Sequence, residues 1–519
     1  MLPALLDSIS TFALVGTTLA LYVIVVVTRS LLRSLFSPLN KVPGPLLNKF
    51  TNLPLFYSIL RGTYYEYSIR LHAQHGELVR LGRDHVSVSN ASELRRILAT
   101  HTFRKGANYE RSVYLMPTVF STTDPDLNRT RRRQFGSLYA MSSIRSMEDL
   151  ILEHGVHSLI KSWDKALENS EEEEYATVNY HYGFHGMSFD IIGILGFGQS
   201  FNVLSQGDTA MTDAFHKLLV LLAMTGRIPI IRHMRWAFKP LFDARDYVTQ
   251  VVHRSIETRK AYIAENGKPP RIDLLQKIID ARDPLTGEVI DMPNLVSETA
   301  LLLAAGTDTT SNTLSWTIMH LMHCPHVYQR LRDDIRREFP DHSTPIRYEE
   351  ARKQLPYLTA VLNESMRVSP SVASYLPRRL PMNGSGATVC GHYIPHGAGE
   401  ICLGIAACHR RSDIWPDPSR FDPERFMGAD TDGNLKNMLA FSSGVRMCIG
   451  RNLAWVELYT TIANLLRRYD LKLPDNVPYG PHRTFNGIPE EIPGIAFITS
   501  GPRDPATNCQ IEISLAFEN

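Results

Sequence analysis

Residues 441–450 read FSSGVRMCIG. Cys448 stands among Gly444, Arg446 and Gly450, and the role of that cysteine decides how the rest of the chain is read. A thiolate that binds a metal needs hydrogen-bond donors and positive charge close to its sulfur. Gly444 and Gly450 permit a tight backbone there, and Arg446 supplies charge. A helix is predicted over Arg451–Arg468, and its N-terminal dipole would favour the anion. A single thiolate cannot complete a tetrahedral zinc site. It can serve as the axial ligand of a haem iron. The plainer alternative, a buried free thiol, leaves the glycines and Arg446 without a purpose.

The chain of 519 residues carries a formal net charge of +2, so no global field points to nucleic acid. Its six cysteines, at 324, 390, 402, 408, 448 and 509, contain no CxxC pair, which argues against a disulfide framework or a zinc ribbon. From Ile9 to Val27 there is no charged residue. At ~1.5 Å per residue this stretch spans roughly 28 Å as a helix, about one hydrocarbon core. Asp7 is the only charge before it, unlike the basic start of a cleaved signal peptide, and Arg29 and Arg33 follow it. The expected organisation is a membrane anchor over 1–28, a basic and proline-rich hinge over 29–45 ending in VPGP, and one large domain over 46–519. The positive-inside rule puts that domain in the cytoplasm, where the sequons at Asn90 and Asn128 would not be glycosylated.

Residues 77–90 predict a hairpin turning near Gly82 and Asp84, and Asn90 with Glu93 a capping pair for a short helix. Residues 124–340 read as mostly helical, interrupted by an acidic run, Glu171 to Glu174, taken as a solvated loop. Short β-rich pieces appear after about 372 and again beyond 470. The apolar tract between 202 and 240 mixes Arg227, Arg232, Arg235 and Lys239 with Ile228, Ile230, Ile231, Trp236 and Phe238. It suits a membrane surface or two core helices joined by a loop at Gly226–Pro229.

Three further stretches bear on chemistry. A long helix is predicted from Pro293 to Cys324, with AAGTDTTSNT at its centre. Ala304, Ala305 and Gly306 remove bulk, and Asp308, Thr309 and Thr310 add an acid and hydroxyls that conflict with local propensity. The two readings are close approach of a flat ligand, or helix packing with threonines bonded back to the preceding turn. Glu364 and Arg367 form an ExxR pair on one helix face. FDPERF at 421–426 supplies Arg425, and a buried Glu364 clasped by Arg367 and Arg425 would act as a structural staple.

FxxGxRxCxG over 441–450, AGTDTT over 305–310, ExxR and FDPERF, in this order, resemble the cytochrome P-450 haem-thiolate monooxygenase family. The anchor and VPGP resemble its microsomal eukaryotic members, with a fungal biosynthetic flavour. The resemblance covers the chain after about residue 40. It implies a mostly α fold, a helical prism with a small β region behind an N-terminal transmembrane helix. It implies haem b with Cys448 as the iron ligand and Phe441, Gly450, Ala305 and Gly306 around it. Arg446, Arg378 in LPRR and Arg132 in NRTRR match the family's propionate-holding positions, although Asn128 stands where Trp or His is usual. Asp308 and Thr309 are implied as the proton-delivery pair. Electrons would come from NADPH through a membrane-bound NADPH-cytochrome reductase, with cytochrome b5 a second candidate donor. An endoplasmic reticulum location is implied, with a lipophilic substrate hydroxylated, epoxidised or desaturated in lipid or secondary-metabolite biosynthesis. Selectivity would lie in 106–122, 202–240, 371–377 and the C-terminal end, with Phe120 and Tyr375 among the aromatic members. The rival readings are a reductase-independent haem-thiolate isomerase or dehydratase, and a non-enzymatic haem-binding protein.

Overall fold

The computed structural model describes residues 2–171, 174–207, 209–380, 384, 386–397 and 399–516, with backbone only for 2–15, 19, 23 and 26. The centre of the acidic run, residues 172 and 173, therefore lies outside the described residues. The predicted central helix runs Met292–His323. Its start is set by Asp291, whose side chain accepts from the Asn294 N–H at 2.9 Å, and by Pro293 in the first turn. Cys324 ends it, and Pro325 opens the next helix, Pro325–Glu338. Leu303, Leu314, Ile318 and Leu321 on this rod are fully buried. They belong to the main core, which also takes in the Tyr180–Ile192, Pro356–Val368 and Arg451–Arg468 helices. A mostly helical chain follows, as the motif order implied.

The β part is small. Leu78–Gly82 and His85–Val88 pair antiparallel, with Leu78 opposite Val88 and Gly82 opposite His85, which is the predicted hairpin. Glu400–Leu403 adds parallel to His85–Val88, and Pro377–Arg379 adds antiparallel beyond it. A second sheet joins Ala176–Asn179, Gln510–Leu515 and Tyr469–Lys472. Asn90 caps Ala91–Ala99 by accepting from the Glu93 N–H, but Glu93 does not reciprocate and instead holds Arg96.

The N-terminal helix runs Leu2–Leu35, past the uncharged stretch and through residues read as hinge. Gly16–Leu35 within it is apolar and almost wholly exposed. The hinge after it is fastened to the sheet rather than free. Arg80, fully buried inside a strand, donates to Asn40 Oδ1 at 2.7 Å and Ser37 Oγ at 3.3 Å, and its own N–H bonds Pro43 O at 2.7 Å. The tract from 202 to 240 is one core-packed helix and an exposed apolar turn, and the next helix starts only at Lys239, later than a joint at Gly226–Pro229 would put it. Ala210–Arg227 buries Phe215, Leu218 and Leu221, while the following turn leaves Ile228, Ile230 and Trp236 exposed beside its arginines, Trp236 at 81 %.

Candidate active site

The loop before Arg451–Arg468 folds back on itself. Cys448 N–H donates to Phe441 O at 2.8 Å, and the turn between them needs left-handed backbone at Ser442 (φ 61°) and Gly444 (φ 58°). At Gly444 a Cβ would lie 2.2 Å from Leu98 O, so the glycine is demanded twice, by conformation and by the Ala91–Ala99 helix. Gly444→Ala is expected to cost about 1–3 kcal/mol and to lower the thermal midpoint; an unchanged melt would show that the loop can move off Leu98. Around Gly450 the reverse holds: a Cβ there would meet nothing within 4 Å. The Phe441 ring packs on Trp455, with centroids 5.7 Å apart.

Cys448 is accessible to solvent although many protein atoms surround it. Burial pushes its thiol up. Against this act the N–H groups of Gly450 and Arg451, the first turn of the following helix, and the charges of Arg132 and Arg451. These donors suit a thiolate better than a thiol.

Beside the loop lies a group of cations. Lys105 and Arg378 are buried, and Arg132 and Arg446 are half-buried. Burial pulls the Lys105 ammonium far down, and the charges that add to this are all positive: Arg378, Arg446 and Arg132. Arg446 is drawn down to about 10 by burial, then by Arg378 and Arg132. Arg446 Nη1 and Arg132 Nε are buried without hydrogen-bond partners. Clustering cations out of water is costly unless anions compensate them, so the charge of this corner suits a group with more than one negative charge. Arg132 reaches the loop itself by donating to Met447 O. Lys105 was not legible as a site residue. No spacing motif marks it, and it joins Arg378 only through a β-bridge between distant segments and holds Phe120 O with its ammonium. Asn128, at the departing position, spends its amide on Val119 O at 2.9 Å.

On the central helix, Ala305 is exposed and Thr309 half-exposed, one turn apart on a rod buried almost throughout. Thr309 Oγ1 donates to Ala305 O at 2.7 Å, so the back-bonding alternative also holds, and its lone pairs stay free to accept. Gly306 is not on this face. A Cβ there would lie 2.4 Å from Ile192 Cδ1, so Gly306 admits the neighbouring helix rather than a ligand. Asp308 points to His185, with Oδ1 3.4 Å from Nε2. A further link escaped the sequence reading: buried Glu298 accepts from the Val119 N–H at 2.8 Å and lies 3.3 Å from Arg131, tying the 106–122 segment to the central helix. Burial pushes the Glu298 carboxyl up to about 8.

The staple residues do meet. Arg367 grips Glu364 with two bonds, Nε–Oε2 at 2.6 Å and Nη2–Oε1 at 2.8 Å, with both side chains fully buried. Arg425 Nε lies 3.3 Å from Glu364 Oε1, a charge contact not aligned as a hydrogen bond.

The family model described as Cytochrome P450 matches residues 42–491. Cytochrome P450 monooxygenase helB2 of Aspergillus fumigatus is 32% identical over 96% of this chain and 98% of its own length. Cytochrome P450 monooxygenase helB1 of the same organism is 30% identical over 92% and 82%. LUC2, a cytochrome P450 monooxygenase of a Fusarium species, is 29% identical over 91% and 90%. Among solved structures, the cytochrome P450DA heme domain superposes with a TM-score of 0.75 at 18% identity, covering 92% of this chain and 98% of that one, a likeness of fold.

Proposed function

Because the chain belongs to the cytochrome P450 family, we propose that the cysteine loop, the cation cluster and the Ala305–Thr309 face together hold a haem and a lipophilic substrate. The chain is a haem-thiolate monooxygenase, an oxidoreductase using haem b and electrons that originate in NADPH and arrive through a redox partner. When bound, the haem supplies the activation of O2 and the insertion of one oxygen atom into the substrate. The observation that carries the assignment is the pairing of a donor-surrounded thiol with four clustered cations that, among the described residues, form no ion pair with a carboxylate. Two propionates are the kind of charge this cluster requires.

The residues divide the work. Cys448 would be the iron ligand, and the N–H groups of Gly450 and Arg451 would hold its sulfur as an anion. Arg446, Arg378, Arg132 and Lys105 would hold the acidic edge of the haem. Ala305 would leave room for the group and its substrate, and Gly450 adds none of the bulk a side chain would bring. Thr309 holds a proton donor at Oγ1, and Asp308 feeds protons to it. Presence of this acid–hydroxyl pair favours reductase-fed oxygen insertion over isomerase or dehydratase chemistry. The apolar residues of 106–122, Phe120 among them, favour a lipophilic molecule of the lipid or secondary-metabolite class; Tyr375 packs on Tyr64 and His85 and donates to Glu400, so it is given no part in selectivity.

The exposed apolar helix Gly16–Leu35 and the exposed Ile228, Ile230 and Trp236 support an anchored enzyme whose body also rests on the bilayer. We assign it to the endoplasmic reticulum with the catalytic domain in the cytoplasm, and NADPH-cytochrome reductase, with or without cytochrome b5, as the donor. Exposed Arg451 next to the loop suits an acidic partner surface. Thr309→Ala tests the proton assignment. With a compound chosen from a lipophilic panel by its binding spectrum, product formed per NADPH is expected to fall about tenfold or more, with hydrogen peroxide rising in its place. Unchanged coupling would remove Thr309 from proton delivery.

A further inference from the structure

Among the described residues, one group of His, Cys, Asp or Glu side chains converges its donor atoms: His185, His216 and Asp308, all within 4.8 Å of one another. They come from three helices, Tyr180–Ile192, Ala210–Arg227 and Met292–His323. His185 Nε2 is sealed from solvent and makes no hydrogen bond, although Asp308 Oδ1 is only 3.4 Å away. The His216 ring stacks on that of His185, with centroids 5.2 Å apart and planes at 27°. His216 itself is exposed, which gives the cluster a path to solvent. His181, one turn before His185, is turned instead to Ser315 Oγ at 3.1 Å.

Two imidazole nitrogens and one carboxylate form a donor set suited to zinc-class ions, with a fourth position for water. Magnesium and calcium prefer all-oxygen sets. Bond lengths of about 2.0–2.2 Å put neighbouring donors roughly 3.4 Å apart in a tetrahedral zinc site. The His185–Asp308 separation already meets this, and the remaining closure asks for rotation of the exposed His216 side chain. We propose that His185, His216 and Asp308 form a site for a divalent ion of the zinc class, which when filled fastens the Ala210–Arg227 helix onto the central helix. An ion there also occupies Asp308 Oδ1; that consequence for turnover rests on the proton-delivery role proposed above.

The test uses chelator-treated, detergent-solubilised full-length holoenzyme titrated calorimetrically with Zn²⁺ alone. One tight equivalent is expected, weakened about tenfold or more in both His216→Ala and His185→Gln. Hydrogen exchange should slow over 210–227 on adding zinc to the wild type and not to His216→Ala. Superimposable isotherms for the wild type and both variants, or no zinc uptake, would overturn the site. Uptake lost in the variants without slower exchange would overturn the fastening. The reduced carbon monoxide spectrum of the same samples reports haem ligation independently, so failure of the zinc site and failure of the haem-thiolate reading are told apart.

Discussion

Arg367→Ala is expected to melt far below the wild type and to yield much less folded holoprotein. Arg367 is fully buried and holds four acceptor groups: the Glu364 carboxylate, His409 O and Pro418 O at 2.8 Å each, and Arg420 O at 3.1 Å. Glu364 in turn accepts from the Asp422 N–H at 2.8 Å. The pair thus ties the Pro356–Val368 helix to the irregular chain from 409 to 425, which has little regular structure to hold itself. Removing one partner strands a buried charge and orphans the carbonyls, at about 3–5 kcal/mol. Against a net stability of about 5–15 kcal/mol, that is a large fraction. Glu364→Gln should be destabilised too, since it leaves Arg367 charged and uncompensated. Thermal melts and haem content of the purified variants check this; variants that melt with the wild type would show that the pair is not a staple.

Cys448→Ser has the other large effect, on chemistry rather than folding. The serine fits the volume, and the loop is held by the Cys448 N–H to Phe441 O, which the substitution keeps. Oxygen insertion with NADPH and reductase should fall to background, because a neutral hydroxyl does not supply the electron density that a thiolate does. The thermal midpoint without haem should change little. Retained turnover would contradict the assignment of the iron ligand.

What could be read before the structure was what local spacing encodes. The Glu364–Arg367 pair and the ends of the central helix are local features, and the structure has both close to where they were expected; in the cysteine loop Gly444 meets the tight approach expected of it and Gly450 does not. The hairpin followed from alternation over residues 77–90. What escaped was pairing between distant segments. Small residues in AAG gave no sign of which neighbour they serve; Ala305 faces open space while Gly306 meets Ile192. Lys105 joins Arg378 across 273 positions of chain by a backbone bridge that no composition announces. His185 and His216 reach Asp308 from two other helices, so their convergence appears only in three dimensions. The helical run to Leu35 was hidden by its own arginines, which end an uncharged stretch without ending a helix.

We propose Cys448 as the thiolate ligand of a haem held by the neighbouring cations. The reduced carbon monoxide difference spectrum of the full-length protein, beside that of Cys448→Ser, tests it most directly. The wild type is predicted to give the long-wavelength Soret band of thiolate ligation and the variant to lose it. The same band in Cys448→Ser, or none in a haem-loaded wild type, would contradict the account.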